Sequence, residues 1–511
     1  METPSLYHRA LSEVTKSEKY QKKYDYLYNV ALACLWSMAF NNIILALTII
    51  PYTCEIPDAP KNVNREDWKE MWIPKNQLGG NMTIFSNCLI YDENNNITDC
   101  KRYRYDNTWY KSTIPSENNW VCEKEYYVIN ILSHNKISET VGSLIFGWFG
   151  DAYGRRLTYM ISLLLLVIGR TISIIFSHSV VIFSIGCLIA AFPATSALQC
   201  TSSISMEISS PKRRSSIAKL RFIASSVGLC LMPLLYWWIR EWKLFMITTT
   251  VTQLPYLLWS WKMIESPQWL WINQRNKECE NILEQIAKDN RTALSSQTKQ
   301  LISASHEEHT EKQFGFLLLF SNKELALVTI LQLFIWVSVT LSYTVSFLSS
   351  GESSQTNPFL DFAFQSLAEI PGHFSGAWLA DNIGRRYTCV VSFGVSSVAW
   401  VIIGFKDFVM WPDVEWILIF VQVLNRYSIT ISYYIINLLN MEIYPTAMRQ
   451  SGMALGNLIS GIAAAIAPYV LLLGHKHGSF WSSAILSLFS IIGLMSGLGL
   501  PETVARRRHP I

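Results

Sequence analysis

The number of apolar runs close to the length of a bilayer crossing constrains this chain most. Twelve segments qualify, at roughly 27–50, 128–148, 157–176, 180–206, 217–239, 243–263, 324–347, 359–380, 387–405, 414–441, 451–473 and 480–500. About 20 apolar residues cross the hydrocarbon core as a helix, and a helix satisfies its own backbone in lipid. An all-α membrane protein of twelve spans is therefore expected. Composition agrees. Only 16% of the 511 residues are charged, where a soluble domain carries about 25%, and the mean hydropathy is +0.20. The net charge is +4, with the basic residues dispersed in short clusters, which argues against a nucleic-acid partner. The first 25 residues are polar, and no short apolar stretch with a small-residue cleavage site precedes span 1, so no cleaved signal peptide is expected.

Orientation follows from the Lys/Arg bias of the short loops. One set of connections carries Arg155 and Arg156, then Lys212, Arg213, Arg214, Lys219 and Arg221, then Arg385 and Arg386, then Arg449. The opposite set carries Arg240, Lys406 and Lys476. The first set is expected in the cytoplasm. An even number of spans places both termini there, with the tail Arg506-Arg507-Arg508. The chain then divides into a cytoplasmic N-terminus (1–26), a six-span half (27–263), a cytoplasmic linker (264–322, helix-prone around Glu278–Lys288), a second six-span half (323–500) and a cytoplasmic tail (501–511).

Residues 51–127 form an extracellular insertion between spans 1 and 2. It holds Cys54, Cys88, Cys100 and Cys122 and two N-x-T sequons, at Asn81 and Asn96. An even cysteine count and sequons on the same face point to an oxidising, glycosylated compartment. Two disulfides are expected, with three pairings open.

An internal repeat joins the two halves. Asp151-Ala-Tyr-Gly154-Arg155-Arg156 follows span 2, and Asp381-Asn-Ile-Gly384-Arg385-Arg386 follows span 8. Met206-Glu207-Ile208 with Arg214 ends span 4, and Met441-Glu442-Ile443 with Arg449 ends span 10, at the same Glu-to-Arg spacing. Two six-span halves in one orientation are the parallel-repeat architecture of alternating-access carriers. The glycines permit a tight turn and close helix approach. The Asp and Arg side chains can pair with the Glu and Arg at neighbouring helix ends. A cluster of this kind closes the cytoplasmic side in one state and breaks in the other, because charges near lipid are costly unless paired.

This double motif resembles the major facilitator superfamily. Further stretches resemble the organic cation, anion and zwitterion transporters of solute carrier family 22. Pro51-Tyr-Thr-Cys54-Glu-Ile-Pro57 and Asn119-Trp-Val-Cys122 are similar to that family's entry into and exit from its external loop. Glu265-Ser-Pro-Gln-Trp-Leu270, Glu442-Ile-Tyr-Pro-Thr446 and Leu500-Pro-Glu-Thr503 are similar to its later signatures. The likeness runs from about residue 20 to 503. It departs at Gln268, where the family has Arg, and in having four loop cysteines where many members have six. The resemblance implies a plasma-membrane carrier whose substrate site lies between the halves near the midplane.

Aromatic faces and one or two charges can hold an organic ion there. Trp336 and Tyr343, two turns apart on span 7, match aromatic pocket positions of the family. Glu369 on span 8 matches its acidic position, more typical of cation carriers, and Arg426 on span 10 falls where members carry Arg or Lys. Glu369 and Arg426 can also neutralise each other. Gly461 stands where cation carriers often have an acid and anion carriers a base, so that selector is absent, and Leu198 stands where cation carriers can place a Trp. Lys136 and Glu139 on span 2 replace uncharged pocket residues. They share a helix face and can pair, and together they offer both signs. The leading expectation is a transporter of small organic cations or zwitterions in a lipid bilayer. An organic anion carrier and a transport-inactive ligand sensor are the alternatives. No cofactor or metal site is expected, and enzymatic activity is not. No P-loop or H-E-x-x-H is present, and His306-Glu-Glu-His309 is read as a solvated stretch of the linker. Oligomeric state is not legible.

Overall fold

A computed structural model describes residues 6–57, 65–78, 82–92, 96–299, 319–351, 357–408, 414–444 and 448–502. Asn81, Pro445, Thr446, Thr503, His306, His309 and the tail arginines lie outside these residues, as does the side chain of Arg214. Twelve helical spans are present. Spans 1–3 are Lys19–Ala46, Glu125–Tyr153 and Arg155–Ile175. Span 4 is Val180–Ala191 with Ser196–Glu207, span 5 is Pro211–Ile239, and span 6 is Trp242–Val251 with Leu254–Leu258. Span 7 is Lys323–Ser349, span 8 is Pro358–Leu367 with Glu369–Asn382, and span 9 is Arg385–Gly404. Spans 10–12 are Val414–Ile443, Arg449–His477 and Ser479–Gly499.

Among the described residues, eight helices are long and apolar enough to cross a membrane by themselves. They include span 4, taken across its turn, and the other four are spans 2 and 10, which carry more polar residues, and spans 6 and 8, which are broken. Spans 4, 6 and 8, read as continuous from the sequence, are each interrupted near a proline, at Pro193, Pro255 and Pro371. Proline lacks the N–H that would bond four residues back and crowds that carbonyl. Span 1 begins eight residues earlier than the apolar run, through a wide π-helical stretch at Asp25–Ala31. Asp25 is buried there because Arg213 of span 5 binds it at 2.6 Å and Ser205 of span 4 donates to it.

The halves are built alike. Span 1 packs on span 5 as span 7 packs on span 11, and span 3 packs on span 4 as span 9 packs on span 10. Between the halves, span 2 packs on span 11 and span 5 on span 8, two contacts that the internal repeat exchanges.

The insertion after span 1 is a small layer of three antiparallel pairs: Tyr52–Cys54 with Tyr103–Tyr105, Lys75–Leu78 with Met82–Phe85, and Leu89–Tyr91 with Ile97–Asp99. Isolated pairs of this size are marginal in water. Cross-links compensate: Cys54 bonds Cys100 and Cys88 bonds Cys122, each closing a loop worth about 2–4 kcal/mol. The insertion also anchors to the bundle. Arg240 at the end of span 5 donates to the carbonyls of Asn107, Thr108 and Trp109. The remaining cysteines, at 34, 187, 200, 230, 279 and 389, are unbonded. Alkylation of the denatured, unreduced protein is therefore expected to label six cysteines, and ten after reduction. Labelling of all ten without reductant would exclude both cross-links. Asn96 is exposed, so glycosidase treatment of protein from a eukaryotic host is expected to lower its mass.

On the opposite side, helix Asn276–Asn290 of the linker packs against the N-terminal helix Leu6–Val14 and the start of span 1. Asn290 knits the layer together. Its amide donates to Val14 O at 2.9 Å and its carbonyl oxygen accepts from Tyr20 N at 2.9 Å. Cys279 is sealed inside this layer, and burial pushes its thiol up to about 12, so it is inert as a nucleophile at neutral pH.

Candidate functional site: the repeated Arg–Glu clusters and the interface of the halves

The two D-x-x-G-R-R segments adopt one geometry. Gly154 and Gly384 turn the chain between consecutive spans at φ +104° and +103°, a region that L side chains avoid. Each turn opens a helix whose first amides lack intrahelical partners. A carboxylate from the end of the same half caps them. Glu265, after span 6, accepts from Arg155 N at 2.9 Å and Arg156 N at 3.1 Å. Glu502, after span 12, accepts from Arg385 N and Arg386 N, both at 3.1 Å. A negative charge at a helix N-terminus is also favoured by the helix dipole. A Cβ on either glycine would meet the capping carboxylate within 2.6 Å. The glycine is thus required for the backbone angle and for the cap together.

The arginine that follows gathers acids from its own half. In the second half Arg385 grips Glu442 through two N–H···O contacts, both 3.1 Å, and reaches Asp381 at 3.3 Å. In the first half Arg155 pairs with Asp151 at 3.0 Å, but Glu207 lies at 3.8 Å because it is also held by the Ser266 hydroxyl. The arginine–glutamate fork is the stronger, geometrically specific arrangement, so the two clusters differ in strength. Asp151 and Asp381 are 71% and 72% exposed, whereas Arg385 is 3% exposed. Arg214 and Arg449 open spans 5 and 11 close to these clusters in the chain.

The halves meet along the part of the bundle that carries the cysteine-rich insertion. Ser133 of span 2 donates to Ala465 O of span 11 at 2.7 Å, and Tyr469 donates to Asn130 at 2.7 Å. Lys476 reaches Tyr126, and Tyr110 of the insertion donates to Gly351 O at 2.9 Å. Gly461 belongs to this contact. A Cβ there would overlap Thr140 of span 2, so the residue lets two spans approach closely rather than leaving a gap beside the pocket.

Near the midplane, Glu369 and Arg426 form the central ion pair. Arg426 binds Glu369 Oε1 through Nε at 2.9 Å and Nη2 at 2.6 Å. Tyr343 donates to the same oxygen at 3.0 Å, and Ser226 of span 5 donates to Oε2 at 3.0 Å. The break in span 8 at Ala368 places Glu369 at the start of a new helical segment, aimed at these partners. Of the two arrangements open to Glu369, counter-charge to a bound cation or partner of Arg426, this structure holds the second. The Arg426 guanidinium lies 3.9 Å from the ring centre of Tyr343. Trp336 is buried edge-on against Tyr433 and beside Gly456. Lys136 and Glu139 pair at 2.9 Å and line a cavity of about 30 Å³ between the halves, room for about two waters.

Several residues of this arrangement had no assigned role at the level of sequence. Glu265 and Glu502 sat inside recognised stretches, and their matching place after spans 6 and 12 was a signal available from the repeat. Arg170 was an ionisable residue inside a span, a signal on its own. Arg221 was counted with the basic loop, but it stands ten residues into span 5, about 15 Å along the helix, and donates to Ser202 at 3.2 Å. Ser226 carried no signal, since only packing brings it to Glu369.

Two six-span halves with repeated turn clusters and a charged midplane define a membrane transporter of the major facilitator fold. The chain matches the sugar (and other) transporter family over residues 93–509 and belongs to it. Its curated relatives include human solute carrier family 22 member 2, 26% identical over 77% of this chain and 69% of that protein. The Drosophila melanogaster carcinine transporter is 26% identical over 92% of this chain and 73% of that protein. Among solved structures, the xylose transporter XylE from E. coli in a partially occluded inward open conformation superposes with a TM-score of 0.58 at 14% identity, covering 96% of this chain and 99% of that one.

Proposed function

We propose that the protein carries small organic cations or zwitterions across the plasma membrane by alternating access, with the Arg-rich side and both termini in the cytoplasm. The observation that carries this reading is the Glu369–Arg426 pair, which Ser226 ties to the other half. A buried pair that is already neutral can admit a cation only by exchanging one positive charge for another. Entry of an ammonium group beside Glu369 would loosen Arg426 and compete with Ser226 of the other half, which donates to Glu369 Oε2 at 3.0 Å. Ligand binding would thus be felt where the halves touch. A further support is a relative that transports carcinine. We read the contacts on the cysteine-rich side as a closed extracellular gate, and the Arg155 and Arg385 clusters as elements of the cytoplasmic gate. The residues proposed to serve transport are Asp151, Gly154, Arg155, Arg156, Glu207, Arg214, Asp381, Gly384, Arg385, Arg386, Glu442 and Arg449 in the gate, and Trp336, Tyr343, Glu369, Arg426, Lys136 and Glu139 in the pocket.

The test is uptake into proteoliposomes with competition by charge class, repeated on Glu369→Gln. Cations and zwitterions are expected to compete, and the substitution is expected to weaken cation affinity at least tenfold. Competition by organic anions alone, or unchanged cation affinity in Glu369→Gln, rejects the reading.

A further inference from the structure

Arg170 is the most unusual charge in the bundle. It lies in the last third of span 3 and is 1% exposed. One of its nitrogens, Nη2, donates to Phe40 O at 2.6 Å. Its Nε and Nη1 have no hydrogen-bond partner. Among the described residues no carboxylate forms an ion pair with it, and Glu139, which lines the same cavity, is engaged by Lys136. A guanidinium cannot escape this situation by losing its proton. Buried charges are otherwise paired or coordinated, and Glu369–Arg426, Arg385–Glu442 and Arg213–Asp25 all follow that rule.

Arg170 also lines the cavity between the halves, together with Asn135, Lys136, Glu139 and Thr344. Asn135 Oδ1 is buried there without a partner as well. The cavity wall thus presents two kinds of unused capacity: N–H donors on a fixed positive charge, and a carbonyl acceptor near a carboxylate. We propose that Arg170 is the carboxylate-binding subsite of a compact zwitterionic ligand, whose ammonium group faces Asn135 Oδ1 and Glu139. The fork of the guanidinium matches a carboxylate. The cavity of about 30 Å³ holds about two waters and is far smaller than a whole zwitterion, so binding requires the halves to part at span 2 and span 11. The assignment rests on the transporter reading for its physiological meaning, but it is a claim about binding and is tested without transport.

The experiment measures ligand affinity by thermal shift on the purified full-length protein. The probes are ω-amino carboxylates of two to six carbons, each paired with its amide, which keeps the shape and removes the negative charge. At least one acid is expected to bind ten times more tightly than its amide. The gap is expected to fall to within twofold in Arg170→Gln. It is expected to narrow partly in Arg170→Lys, which keeps the charge without the fork and serves if the glutamine variant does not fold. Wild-type protein that binds no acid better than its amide overturns the subsite, as does a gap that survives in both variants. Chloride that produces the same Arg170-dependent shift, with no preference for acid over amide, overturns the carboxylate assignment in favour of an inorganic anion. Failure of cation uptake in the wild type would sink the transport reading and leave this binding result to stand or fall separately.

Discussion

Arg385→Ala is expected to abolish uptake and to destabilise the protein more than any other single change in the two turn clusters. The cause is the burial of the Arg385–Glu442 fork. Both contacts are 3.1 Å, with Arg385 3% and Glu442 14% exposed. Removing one partner of a buried ion pair costs about 3–5 kcal/mol, because the other charge stays in a poor solvent. Arg385 also donates to Ala380 O at 2.9 Å, so the end of span 8 loosens with it. The equivalent Arg155→Ala is expected to cost less. Its glutamate stands at 3.8 Å and keeps the Ser266 hydroxyl, and Arg155 is 19% exposed. Asp381→Asn removes an acid that is 72% exposed, where an ion pair contributes about 0–1 kcal/mol, so its stability should be near wild type. Melting temperatures of the three purified variants, with uptake at matched protein amounts, check this order. Equal destabilisation by Arg155→Ala and Arg385→Ala would remove the asymmetry between the halves.

The second large effect is expected at the midplane. Arg426→Leu leaves Glu369 with Tyr343 and Ser226 but no positive charge, and Glu369→Gln leaves Arg426 fully buried and unpaired. Each single change is expected to cost about 3–5 kcal/mol. The double variant Glu369→Gln/Arg426→Leu buries no net charge, and replacing a whole buried pair is often close to neutral. It should therefore be more stable than either single variant, so the coupling energy exceeds the larger single loss and lies above the usual range of about 0.5–3 kcal/mol. Unfolding of all four proteins under one condition gives that coupling directly. Strictly additive losses would show that the pair is not what holds spans 8 and 10 together. Transport should be lost in the double variant whatever its stability, because the exchangeable charges are gone.

The period and length of the apolar runs already carried the twelve spans, because lipid admits only backbones that bond internally. The repeat carried the equivalence of the two halves, since Asp151 and Asp381 and the glutamates at 207 and 442 recur in matching order. The turn glycines at 154 and 384 were also legible as turns. The breaks in spans 4, 6 and 8 were not read, although prolines 193, 255 and 371 mark them. The apolar runs continue through those prolines, and hydropathy does not register a missing N–H.

What the sequence by itself determined is local: which segments enter the membrane, where they turn, and which acids and bases stand at their ends. Tertiary structure decided which charges meet. Cys54 finds Cys100, where three pairings were open, because the strand pairs Tyr52–Cys54 with Tyr103–Tyr105 and Leu89–Tyr91 with Ile97–Asp99 bring their flanks together. Glu369 finds Arg426 across spans 8 and 10 and Ser226 across the halves, while among the described residues Arg170 finds no acid. A side chain's partner depends on helix rotation and depth to within a few ångströms, and one residue along a helix turns it by about 100°. Spacing in the chain does not carry that information between distant segments, and only the packing of the twelve helices supplies it.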